Sequence, residues 1–90
     1  MAESALLERG DRLLAIGDIA SARLLYETAA AGGSARGALL AGRTLDPGFL
    51  RSMGTRGVSG DPARAAAWYE KAAELGDDSA TALLEALGRR

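Results

Sequence analysis

The sequence predicts an all-α fold, a short stack of helices built from a repeated unit. Three observations predict it. First, residues 17–30 recur 43 positions later as residues 60–73, and eight of the fourteen pairs are identical, among them Gly17/Gly60, Asp18/Asp61, Tyr26/Tyr69 and Glu27/Glu70. A period in this range marks a stacked-repeat architecture. Second, the composition is rich in Ala, Leu, Arg, Glu and Gly with almost no β-branched run, which favours helix over strand. Third, helix-start residues and glycine stops punctuate the chain at helical lengths.

The first helix is expected from about Ser4 to Ala15. Leu6, Gly10, Leu13 and Gly17 fall on one seam, with Leu7 and Leu14 beside it. A glycine inside a helix costs about 1 kcal/mol against alanine, so Gly10 implies close approach of the next helix. Asp18 caps the second helix, which runs to about Ala31 with Ile19, Ala22, Tyr26 and Ala29 inward. Gly32 and Gly33 end it. Ser34 caps the third helix, which reaches Thr44 or Leu45 with Ala38, Ala41, Gly42 and Leu45 inward. Asp46-Pro47 is a helix-start signature, because proline at the first helical position gives up an N–H that has no partner there. It opens a short helix to Ser52 carrying Phe49 and Leu50, with Met53 just beyond. This is the insertion that lengthens the second unit. Gly54, Gly57 and Gly60 mark a loop into which Val58 tucks. Asp61-Pro62 starts the next helix, which runs to about Leu75 with Ala65, Trp68, Tyr69, Ala72 and Ala73 inward and Gly76 at its end. Trp68 is expected to pack on the Phe49 insertion. Asp77 or Asp78 caps the last helix, which reaches about Leu87 before Gly88, Arg89 and Arg90.

Ninety residues make one small domain, 1–90, divided as 1–33, 34–76 with the insertion 46–60, and 77–90. Cysteine and histidine are absent. Disulfides, thiolate metal sites and cysteine nucleophiles are thereby excluded, as are the commonest general base and metal ligand. No apolar stretch approaches the roughly 18–20 residues that a membrane helix needs, and no signal peptide is evident, so the chain reads as soluble. Net charge is −1, yet residues 34–60 carry Arg36, Arg43, Arg51 and Arg56 against Asp46 alone. Four arginines without interleaved aromatics do not make a nucleic-acid surface. Glu70 and Glu74 gain no third ligand, and the glycines lack the Gly-Lys-Ser/Thr ending of a phosphate loop. Neither a metal, a cofactor nor an enzymatic constellation is expected. Abundant Ala, Gly and Arg with scarce Lys fits a GC-rich bacterial genome.

Gly57-Val58, Asp61, Ala65 and the run Trp68-Tyr69-Glu70-Lys71-Ala72-Ala73-Glu74-Leu75-Gly76-Asp77 resemble a Sel-one-like repeat (SLR), a subfamily of the tetratricopeptide-repeat helical hairpins. Residues 35–45 resemble it more loosely. Residues 6–33 are more similar to an ordinary tetratricopeptide repeat, with Gly10, Leu13, Gly17, Ala22, Tyr26 and Ala29 at its packing offsets. The resemblance implies an α–α superhelix of about two hairpins plus a C-terminal capping helix. It also implies adaptor or scaffold roles, with no catalytic residues and no cofactor. The last helix stands as the first helix of an unpaired third unit, and Glu85 replaces the glycine found at Gly10 and Gly42.

In this family the first helix of each hairpin lines a concave groove. By position that points to Leu7, Asp11 and Leu14, to Arg36, Leu39 and Arg43, and to Ala82 and Ala86 in the last helix. An apolar floor edged by Arg36 and Arg43 suits an amphipathic helix or an extended peptide carrying acids. The expected function is a non-catalytic interaction module for a protein or peptide. The alternative is self-assembly, as a homodimer or part of a longer solenoid, through a free face bearing Leu7 and Leu14.

Overall fold

The computed structural model describes residues 2–89. Met1 and Arg90, at the ends of the expected first and last segments, lie outside the described residues. Six helices and no strand make up the described fold: α1 (Glu3–Ala15), α2 (Ile19–Ala31), α3 (Ala35–Arg43), α4 (Pro47–Ser52), α5 (Pro62–Glu74) and α6 (Ser79–Gly88).

The helix boundaries follow local chemistry. Asp18, Ser34, Asp46 and Asp61 each accept a backbone N–H from the first turn of the helix they precede, at 2.9–3.2 Å. These bonds occupy donors that have no partner within the helix. Before α6 it is Asp77, not the Asp78 beside the helix, whose carboxylate accepts from the Ser79 amide and hydroxyl. Four helices end alike, on a left-handed glycine at Gly17, Gly33, Gly54 or Gly76. At Gly17 the amides of Gly17 and Asp18 donate back to the carbonyls of Leu14 and Leu13, the paired closure that a residue at positive φ permits. Neither α3 nor α6 has such a glycine. At the end of α3 the Arg23 guanidinium donates to the Thr44 carbonyl at 2.7 Å and to its hydroxyl at 2.9 Å.

Neighbours in sequence are neighbours in space, with one exception. α1 packs on α2, α2 on α3, α3 on α5 and α5 on α6, while α4 stands outside this series. The result is a slab of 35 × 29 × 16 Å. Its thin dimension is that of two helix layers at interaxial distances of about 8–10 Å. Sandwiched between α2 and α5, α3 is buried on nearly every side: all residues from Gly37 to Gly42 are buried.

Two apolar clusters hold the stack. One gathers Leu39, Leu45, Ala65, Tyr69 and Ala72, and the other Ala22, Tyr26, Leu40 and Ala41. Trp68 packs against both. At each crossing of a first helix over a second, a glycine faces a tyrosine ring. A Cβ on Gly10 would stand 2.5 Å from the Tyr26 ring, and one on Gly42 would stand 2.6 Å from the Tyr69 ring. The close approach expected at Gly10 is therefore real, and it is repeated at Gly42. Each ring is also pinned at its hydroxyl. Tyr26 donates to Asp11 at 2.6 Å, and Tyr69 to the buried Asp46 at 2.8 Å.

One packing expectation is corrected. Ala73 is exposed, because the inward stripe of α5 is confined to Ala65, Tyr69 and Ala72 with Trp68 at its edge. Trp68 bridges the two clusters. Phe49 lies beneath Arg43 and beside α1.

Candidate docking surface

The residues expected to line a groove do not share one environment. Asp11 and Leu14 of α1 lie on a shallow concavity of about 270 Å³, which is completed by Ala15, Phe49 and Met53. Arg43, at the end of α3, places its guanidinium 5.6 Å from the centre of the Phe49 ring, within cation–π range. Arg36 is exposed one face-repeat earlier on the same helix. Leu7 is half-buried and packs on the Tyr26–Leu40 cluster. In α6, Ala82 is exposed and Ala86 half-buried.

Leu39 is a correction. It is 0% exposed and belongs to the core between α3 and α5, so it touches no partner on a groove. The cause is the position of α3, which has neighbours on both sides. A helix at the end of a stack would have left Leu39 open.

Asp11 has a structural duty as well as a place on the surface. Its Oδ1 accepts the Tyr26 hydroxyl. Burial first, and then the Asp11 bond and charge, push the Tyr26 phenol well above its usual range. Arg36 and Arg43 pull in the opposite direction, so both cations act on the same hydroxyl from the α3 side. Among the described residues neither arginine forms an ion pair; the described ion pairs are Arg64–Glu27 at 3.7 Å and Arg89–Glu85 at 3.5 Å.

Phe49, Met53 and Ala15 were absent from the expected surface. Ala15 follows Leu14 on a helix already assigned to the groove. Phe49 and Met53 stand four apart, a spacing that puts two apolar side chains on one face of α4. Their periodicity was visible, but the face they meet depends on where the insertion folds back.

No group of three or more acidic, histidine or cysteine side chains capable of holding a metal occurs among the described residues. No described helix is long and apolar enough to cross a membrane.

Stacked helices with a glycine–tyrosine contact at the α1/α2 and α3/α5 crossings define a helical-repeat protein. The family model of the Sel1 repeat matches residues 1–34 and 48–77, and the chain belongs to that family. Searches of curated proteins and of solved structures return no significant match. Sel1 repeats are generally protein–protein interaction modules and typically non-catalytic. The first hairpin, expected to lie nearer an ordinary tetratricopeptide repeat, matches the Sel1 repeat throughout. The second matched segment starts inside α4 and omits α3. In space, however, it is α3 that pairs with α5 and brings Gly42 onto Tyr69.

Proposed function

We propose that this chain is a non-catalytic docking module that holds a protein or peptide segment on the face formed by α1, the end of α3 and α4. One observation carries the reading. An apolar concavity lined by Leu14, Ala15, Phe49 and Met53 lies beside Arg43, a half-buried cation in no ion pair among the described residues. The stack supplies a stiff surface, and binding to a preformed surface avoids the cost of ordering it.

Self-assembly has weaker support. Among the described residues the large exposed apolar side chains are Ile16 and Leu24, 78% and 63% exposed. Scattered single side chains of this kind are ordinary on a soluble surface.

The test is affinity capture from source-cell lysate with the native chain and with Arg36→Glu/Arg43→Glu, both checked for helicity by circular dichroism. Leu39→Asp is unsuitable, since a buried carboxylate there would disrupt the core. A protein retained by the native chain and lost by the variant supports the reading. Equal retention by both moves the docking face elsewhere, and recovery of the bait alone favours self-assembly.

A further inference from the structure

The insertion that separates α3 from α5 builds one wall of the concavity, and that wall is held firmly. Pro47 starts α4, Leu50 is 3% exposed, and the Asp46 cap is itself bonded to Tyr69 in the core. Phe49 and Met53 are therefore presented towards α1 in a preset position. Resting on the docking reading above, we infer that the space between α1 and α4 is an anchor pocket for one apolar side chain of a partner peptide, and that Arg43 and Arg36 receive a carboxylate of the same peptide next to that anchor.

Size, lining and charge each narrow the occupant. The concavity of about 270 Å³ is shallow, so it receives a side chain offered from one side rather than enclosing most of a ligand's surface. Four of its five lining residues are apolar, and the fifth, Asp11, already has one oxygen engaged by Tyr26. Methionine adapts its shape to an aliphatic or aromatic guest. Beside this floor stand two arginines with no anionic partner among the described residues. A guanidinium meets a carboxylate through two parallel N–H···O bonds, a fit that a neutral guest does not offer. Asp11 sets the order. It repels an acid at the α1 end, so the apolar side chain sits by Leu14 and Ala15 while the carboxylate sits by Arg43. A basic peptide would meet two cations and one partly engaged carboxylate, the wrong balance.

The experiment selects a phage-displayed random 12-residue library on the full chain. The enriched peptides are then measured as synthetic fluorescent probes by anisotropy. Ala15 is exposed on α1, so Ala15→Glu closes the pocket without entering the core. Arg43→Glu reverses the charge, Arg43→Gln removes it while leaving a helix-compatible side chain, and Arg12→Glu is the matched charge reversal outside the pocket. Enriched peptides should carry an apolar residue beside an acid. Ala15→Glu and Arg43→Glu should each weaken binding by about tenfold or more, as loss of a desolvated charge pair or anchor does, while Arg12→Glu should change it by less than about threefold, as for a rim charge. Arg43→Glu should prefer the peptide whose acid is replaced by lysine.

Enriched peptides without acids, or binding indifferent to Ala15→Glu and Arg43→Glu, overturn the anchor pocket and leave the docking module standing. A wild-type chain that enriches no peptide overturns both. A dimer in light scattering that dissociates on Ala15→Glu assigns the pocket to a second copy of the chain and likewise overturns the inference.

Discussion

Gly42→Ala opposes two effects of known sign, and the structure decides between them. In an isolated helix the change stabilises, by about 1 kcal/mol, because alanine restricts the unfolded chain and favours helical geometry. Here the added Cβ would lie 2.6 and 2.7 Å from two carbons of the Tyr69 ring and 3.2 Å from the Trp68 β-carbon. The ring cannot retreat. Tyr69 is 0% exposed, and its hydroxyl is bonded to Asp46. Overpacking of this kind costs about 1–3 kcal/mol even after the neighbours shift. Contact with a pinned ring places Gly42→Ala at the upper end of that range, so the net loss is about 1–2 kcal/mol after the propensity gain. Against a total stability of about 5–13 kcal/mol for ninety residues, this is a substantial fraction. It corresponds to a fall in Tm of about 4–16 °C. Urea unfolding followed by circular dichroism at 222 nm measures it, with Gly88→Ala as the control, since nothing lies within 4 Å of a Cβ there. The control should be neutral or slightly stabilising. A Tyr69→Leu background identifies the cause: without the ring, Gly42→Ala should lose most of its penalty. If Gly42→Ala is as stable as the native chain, or is equally harmful without the ring, the packing argument is wrong.

The repeated glycines Gly17 and Gly60 should respond differently to asparagine. Gly17 needs φ +86° but has open space, whereas a Cβ on Gly60 would stand 2.6 Å from Pro47 and 2.9 Å from the Leu45 carbonyl. Asparagine tolerates the left-handed region, so thermal melts should show Gly17→Asn close to wild type and Gly60→Asn lower by about 1–3 kcal/mol. Arg23→Met should cost about 1–3 kcal/mol by losing two charge-assisted bonds to Thr44. Arg23→Lys should recover only part of this in the same denaturation assay, because a lysine lacks the planar fork. Alkaline pH should destabilise the fold through Tyr26. Its folded phenol holds the proton more tightly than the unfolded chain does, chiefly through burial. The stabilisation is therefore complete below about pH 10, the usual phenol value, and declines above it by about 1.4 kcal/mol per pH unit. Denaturation at stepped pH should show a shallower alkaline decline in Tyr26→Phe, and an unchanged slope would refute the assignment.

Much of the fold is legible along the chain because its signals are local. A capping Asp or Ser, a proline at the first helical position and a glycine at the end act within one turn, and helix boundaries follow them to within a residue or two. The inward stripe of α2 is likewise readable, since Ile19, Ala22, Tyr26 and Ala29 recur at helical spacing and are all buried. Arg23 carries no such signal. Its work is to cap a helix end 21 residues away, where the chain lacks the left-handed glycine that follows four of its helices.

The candidate surface was legible only in part for the same reason. Asp11, Leu14, Arg36 and Arg43 are placed by helix phase and repeat position, which the sequence by itself determines. Whether a position on the correct phase meets solvent or another helix depends on how many neighbours its helix acquires. Tertiary structure decided that. It enclosed α3 and took Leu39 into the core, and it folded α4 back so that Phe49 and Met53 face α1. Periodicity reports the direction of a side chain about its own helix axis. What stands in that direction is set by contacts between segments distant in sequence, and the insertion between α3 and α5 shifts those contacts without changing the phase of any helix.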